Sequence, residues 1–274
     1  MRESRGGQFT KTRDGVQPET LPGPRQAVWL VYGVGMATPW DHLLAAVLVV
    51  GLPLRAVWLF RRLANSPSQD RAAVRKRLYL QAMAMQWTLV AGLAALWLAT
   101  GRPWGSLGLV PRANGGFWGV LLGLLFVTPL LFRRLRSLDA ATVAAARASF
   151  APVESLLPRT VPERNLFYAL SVTAGCCEEL LYRGFLIDYF GRWTGTLQAM
   201  LLVAVLFGVG HAYQGLSGVL KTGIVGAFLG TAYLLTGSLL LPVIVHALMD
   251  VYAGTLAHRV LTFEPAPAAV ERTA

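Results

Sequence analysis

The stretch CCEELLYRGF, residues Cys176 to Phe185, sets two adjacent carboxylates and a guanidinium inside an otherwise apolar run at 166–187. A spanning helix needs about 20 mostly apolar residues, and charge within one is rare and costly. Six further apolar runs accompany it, at 40–60, 78–99, 116–132, 196–211, 218–235 and 238–256. An apolar 27–37 either extends the first or lies at the membrane interface. Trp40, Trp58, Tyr79, Trp97, Trp118 and Tyr233 fall near the ends of runs, as an aromatic belt places them. The pattern predicts an all-α fold, a polytopic transmembrane helix bundle of about seven to eight spans. The polar site is expected between its late helices.

Composition agrees. The chain is 54% hydrophobic and only 14% charged, with a mean hydropathy of +0.50, where soluble domains carry about 25% charged residues. Its net charge of +11 sits mostly in loops between apolar runs, which argues for a bilayer partner and against nucleic acid. Arg61, Arg62, Arg71, Arg75, Lys76 and Arg77 crowd one loop, and Arg133, Arg134, Arg136, Arg147, Arg159 and Arg164 another. The alternating loops are poorer in basic residues. The positive-inside rule therefore makes the two rich loops and the C-terminus cytoplasmic. Seven spans leave the basic N-terminus outside, a conflict that an extra or re-entrant segment within 27–60 would resolve.

The chain divides into a polar tail at 1–26, expected to be disordered, N-terminal transmembrane helices at 27–132, a basic loop at 133–165, catalytic helices at 166–258 and a C-terminal tail at 259–274. Within the loop, DAATVAAARASF reads either as an amphipathic helix on the inner surface or as a solvated linker. Cys176 and Cys177 read as small buried side chains, with a reactive thiol beside the glutamates as the alternative.

The earlier runs are nearly free of charge, Arg55 being the main exception. Later, ionisable residues fall on three runs: Glu178, Glu179 and Arg183; His211; and His246 with Asp250. Glu179 and Arg183 lie four apart and can pair on one helix face. Glu178, turned by about 100° from Glu179, is the less committed carboxylate. His246 and Asp250 also share a face. Such a set suits hydrolysis by an activated water, with Glu178 as general base, one imidazole orienting the water and another donating to the oxyanion. Alternatively Glu178, His211 and His246 could ligate zinc, although no H-E-x-x-H helix is present. The bland alternative is polar glue that locks helices together in lipid.

Three segments then become recognisable. EELLYR (Glu178–Arg183) fits E-E-x-x-x-R, FGVGH (Phe207–His211) fits F-x-x-x-H, and HALMD (His246–Asp250) fits H-x-x-x-N/D. In this order they resemble the CAAX-processing and bacteriocin-processing (Abi-type, CPBP) intramembrane protease family, over about residues 165–256. The resemblance implies an endopeptidase acting on a membrane-anchored protein or peptide. It makes Glu178 the water-activating base and His211 its partner, His246 and Asp250 the oxyanion pair, and Glu179 and Arg183 their support. Asp250 departs from the Asn common in eukaryotic prenyl-protein proteases. An ionised Asp donates no hydrogen bond, so it needs a proton or a role in orienting His246. Phe207 reads as a packing residue that sets the approach of His211. GAFLG (Gly226–Gly230), with Gly223 a turn earlier, reads as close helix packing rather than dimerisation. The Arg-, Ala- and Gly-rich composition points to a bacterial inner membrane. From another class, an immunity or scaffold protein, or a proton-coupled carrier, would use the same Glu and His residues differently.

Overall fold

A computed structural model describes residues 37–67, 69–110 and 115–264. The tail at 1–26, the segment 27–36 and the last ten residues of the C-terminal tail lie outside the described residues.

The first helix, α1 (Pro39–Ala64), starts where TPWD supplies a capping box. Thr38 accepts from the Asp41 N–H and Asp41 accepts from the Thr38 N–H at 2.7 Å, with Pro39 in the first turn. A π-helical turn at Val47–Gly51 precedes Pro53, whose ring has no N–H to return to the carbonyl four residues back. Helix α2 (Arg71–Thr100) closes on Gly101 at φ 63°, a left-handed cap that favours glycine. Helix α3 (Gly115–Arg134) buries only Phe117. Helix α4 (Ala140–Phe150) is capped by Asp139, whose carboxyl the Thr142 N–H holds below its ordinary range. The segment weighed as helix or linker is thus a helix, Ala-rich and mostly exposed, with Val143 its buried residue.

Helix α5 covers 161–194 in three parts: α-helical Val161–Glu178, π-helical Glu179–Leu186 and α-helical Ile187–Thr194. TVPE repeats the device of α1, with Thr160 and Glu163 forming the box. The chain continues through α6 (Thr196–Gly210), α7 (Gly215–Thr236) and α8 (Leu240–Leu261). α5 therefore starts before the expected 166, inside the stretch expected as loop, and α8 runs past 256.

Among the described residues, five helices are long and apolar enough to cross a membrane: α1, α2, α3, α7 with its lead-in turn, and α8. Two of the expected spans do not meet that standard. The 15 residues of α6 reach only about 22 Å against a hydrocarbon core of about 30 Å. α5 owes its exception to the buried charges it carries.

Packing sets the stage for those charges. α6 lies along α7, while α5 is held between α2 and α8. At Gly208 a Cβ would meet the Val219 carbonyl oxygen at 2.5 Å, and at Gly230 it would meet Met200 at 2.8 Å. The small residues of GAFLG therefore serve contact within the bundle. A core of Leu48, Leu93, Trp97, Phe185, Val203 and Phe207 joins α1 and α2 to the late helices.

The early helices hold more charge than the sequence reading gave them. Asp41, fully buried, takes a bidentate pair from Arg102 at 2.6 and 2.7 Å, and the guanidinium lies 4.8 Å from the Trp97 ring. Arg75 of α2 meets Glu163 of α5 at 2.7 Å and the Ser155 carbonyl at 3.1 Å. Buried ion pairs of this geometry survive because every charge has its partner.

Candidate active site

The motif residues converge from three helices. Glu178 closes the α-helical part of α5, and Glu179 and Arg183 stand on the π-helical turn that follows. π segments inside α-helices frequently mark functional sites. His211 caps the C-terminus of α6, and His246 and Asp250 lie in mid-α8. Charge–charge interactions reach Asp250 from His246, Glu178, His211 and Glu179, so the four expected catalytic groups share one neighbourhood.

The two glutamates live differently. Glu179 is fully buried; its Oε1 accepts from Arg183 at 2.7 Å and from His246 Nδ1 at 2.7 Å, while its Oε2 has no partner. Arg183 donates a second bond to the Gly226 carbonyl at 3.1 Å and lies 4.3 Å from the centre of the Phe207 ring. That contact needs Gly226 to stay small, since a Cβ there would press on Ala204 and Phe207. Glu178 is only partly buried and its Oε1 accepts a single bond, from Gln86 Nε2 of α2 at 2.7 Å.

Phe207 organises the imidazoles. It is buried, with its ring 4.9 Å from that of His211, 5.9 Å from that of His246 and 5.0 Å from that of Tyr182. Its carbonyl accepts from His211 Nδ1 at 2.8 Å. A carbonyl only accepts, so Nδ1 carries the hydrogen and neutral His211 presents Nε2 as an acceptor. His246 is fixed the same way by Glu179, and its Nε2 faces Asp250 at 3.7 Å.

Among the described residues no three His, Cys, Asp or Glu side chains stand together so as to hold a metal ion. Cys176 is partly buried and Cys177 buried, and both are free thiols.

Gln86 and Tyr213 escaped the sequence reading. The Tyr213 ring lies 5.9 Å from that of His211, tilted by 37°, and Tyr213 interacts with the charges of Glu178 and Asp250. A search for ionisable residues passes over an amide, yet a Gln within an apolar run was the available signal.

Apolar helices around an enclosed carboxylate–histidine–arginine cluster define a class: a multi-pass integral membrane protein with a polar site among its helices. Within it, residues 162–252 match the family model described as Type II CAAX prenyl endopeptidase Rce1-like. The segment similar to those endopeptidases holds Glu178, Glu179, Arg183, Phe207, His211, His246 and Asp250, the same residues that carry the sequence resemblance. No curated protein and no solved structure matches the chain.

Proposed function

We propose that the protein is an intramembrane endopeptidase that hydrolyses a peptide bond of a membrane-associated protein or peptide with a water activated by Glu178. The observation that carries this reading is the unequal treatment of the two glutamates. Glu179 is consumed by Arg183 and His246, whereas Glu178 is partly accessible, meets one neutral donor and shares its surroundings with both histidines.

The roles follow from the hydrogen-bond directions. Glu178 removes a proton from the water while His211 Nε2 accepts its other hydrogen and aims the oxygen at the scissile carbonyl. As the tetrahedral oxyanion forms, His246 as an imidazolium donates to it from Nε2. Asp250, beside that nitrogen, supports the imidazolium rather than donating. On this reading an Asp serves at a position where Asn is common. The proton held by Glu178 passes to the leaving amine. The Arg-rich loops and the Arg-, Ala- and Gly-rich composition support a bacterial inner membrane as the setting.

Comparative proteomics of membrane-anchored peptides from cells carrying wild type or Glu178→Gln tests the reading. Processed species are expected with wild type and absent with the variant. An unchanged pattern overturns it in favour of an immunity, scaffold or carrier role. A chelator arm bears on zinc: loss of cleavage with 1,10-phenanthroline, restored by zinc, would assign a metal to the reaction.

A further inference from the structure

Gln86 lies on α2, outside the matched segment 162–252, yet its amide reaches across to the carboxylate to which the reaction is assigned. The side chain is 9% exposed. A carboxylate oxygen can only accept, so the 2.7 Å contact fixes Nε2 as the donor and turns the amide Oε1 away from Glu178. That Oε1 is buried and has no hydrogen-bond partner. A buried acceptor without a partner costs about 1–3 kcal/mol, a cost that a donor brought beside it would relieve. α2 is itself fixed against α5 at a distance from this contact. Arg75 pairs with Glu163, and the Tyr79 hydroxyl donates to the Leu156 carbonyl.

We propose that Gln86 is a positioning residue for the hydrolysis, resting on the reading of Glu178 as general base. Its Nε2 holds one carboxylate oxygen of Glu178 and leaves the other for the water. The N-terminal helices thereby contribute a working group to a site whose recognisable motifs all lie later in the chain.

The test uses the full chain in detergent, with Gln86→Leu to remove both amide functions at similar volume and Gln86→Glu to restore the polar reach without the donor. The carboxylate stretch of Glu178 is isolated as the infrared difference between wild type and Glu178→Gln, recorded in the Gln86 and the Gln86→Leu backgrounds. Loss of the donor is expected to move that band, a readout that needs no substrate. With a quenched fluorogenic peptide bearing a membrane anchor, kcat is expected to fall roughly 10- to 100-fold, the scale of a misplaced reacting group, with KM little changed. The acid limb of the pH–kcat profile is expected at higher pH in Gln86→Leu than in wild type, and Gln86→Glu is expected to rescue neither. An unmoved Glu178 band overturns the proposal, as does a fall in kcat that only tracks the folded fraction. Failure of the hydrolytic reading shows separately, as continued processing by Glu178→Gln.

Discussion

Two polar clusters sit on the same helix and are built on opposite terms. At the head of α5, Glu163 is closed on every side: Arg75 on Oε1 at 2.7 Å, and the backbone N–H groups of Arg159 and Thr160 on Oε2 at 2.8 and 3.2 Å. Arg75 Nε there has no partner, so the difference lies in the acceptors: fifteen residues later it is carboxylate and amide oxygens that are left open. Glu179 Oε2 and Gln86 Oε1 are buried without partners, and Glu178 has one neutral donor. The first cluster fastens helices. The second keeps unspent hydrogen-bonding capacity among rigid walls, which is what chemistry on a bound water requires.

The sharpest way to break this contrast is Glu178→Gln. Cleavage is expected to fall by about 10²- to 10⁴-fold, the usual contribution of a general base, with the thermal transition in detergent unmoved. A matching loss of stability would erase the distinction between the clusters. Arg183→Ala works the other way. It removes the guanidinium from buried Glu179, leaving His246 as that carboxylate's partner, and is expected to cost about 3–5 kcal/mol of stability, read as a large drop in the denaturation midpoint. Glu163→Gln belongs at the lower end of that range, because Arg75 keeps the Ser155 carbonyl. Activity per folded molecule should be retained in it. Gly208→Ala tests the frame around the site. Its new methyl meets the Val219 oxygen, and overpacking of this kind costs about 1–3 kcal/mol, whereas Gly119→Ala on α3 enters open space and should be silent in a melting curve. Smallest of all, the double change Cys176→Ala with Cys177→Ala is expected to leave cleavage intact. Its abolition would move the nucleophile to a thiol.

The sequence made the second cluster far more legible than the first. EELLYR, FGVGH and HALMD are local patterns, and each holds a pair four residues apart, Glu179–Arg183, Phe207–His211 and His246–Asp250, that helical geometry brings to one face. Each apolar run likewise announces its helix without reference to a neighbour. The pairs Asp41–Arg102 and Arg75–Glu163 close over 61 and 88 residues, so neither partner marks the other. Asp41 also passes easily as a capping residue of TPWD, which it is as well. Gln86 was hidden for a related reason: its partner lies 92 residues away, and an uncharged amide does not stand out from an apolar helix. Register was the remaining blind spot. Counting 100° per residue assumes an α-helix throughout, and Glu179–Leu186 is not one.

That π-helical turn separates the length of α5 from its phase. Its closing bond runs from the Ile187 N–H to the Tyr182 carbonyl, five residues back. The turn therefore stores slack that an α-helix of the same length lacks. Deleting one residue there, Leu180 for example, could be absorbed by reverting to α geometry. The far end, with Asp188 and Arg192, would stay helical but face a new direction. The helix would be spared and the alignment of its two ends lost, much as a slipped thread leaves a screw whole but its head misaligned.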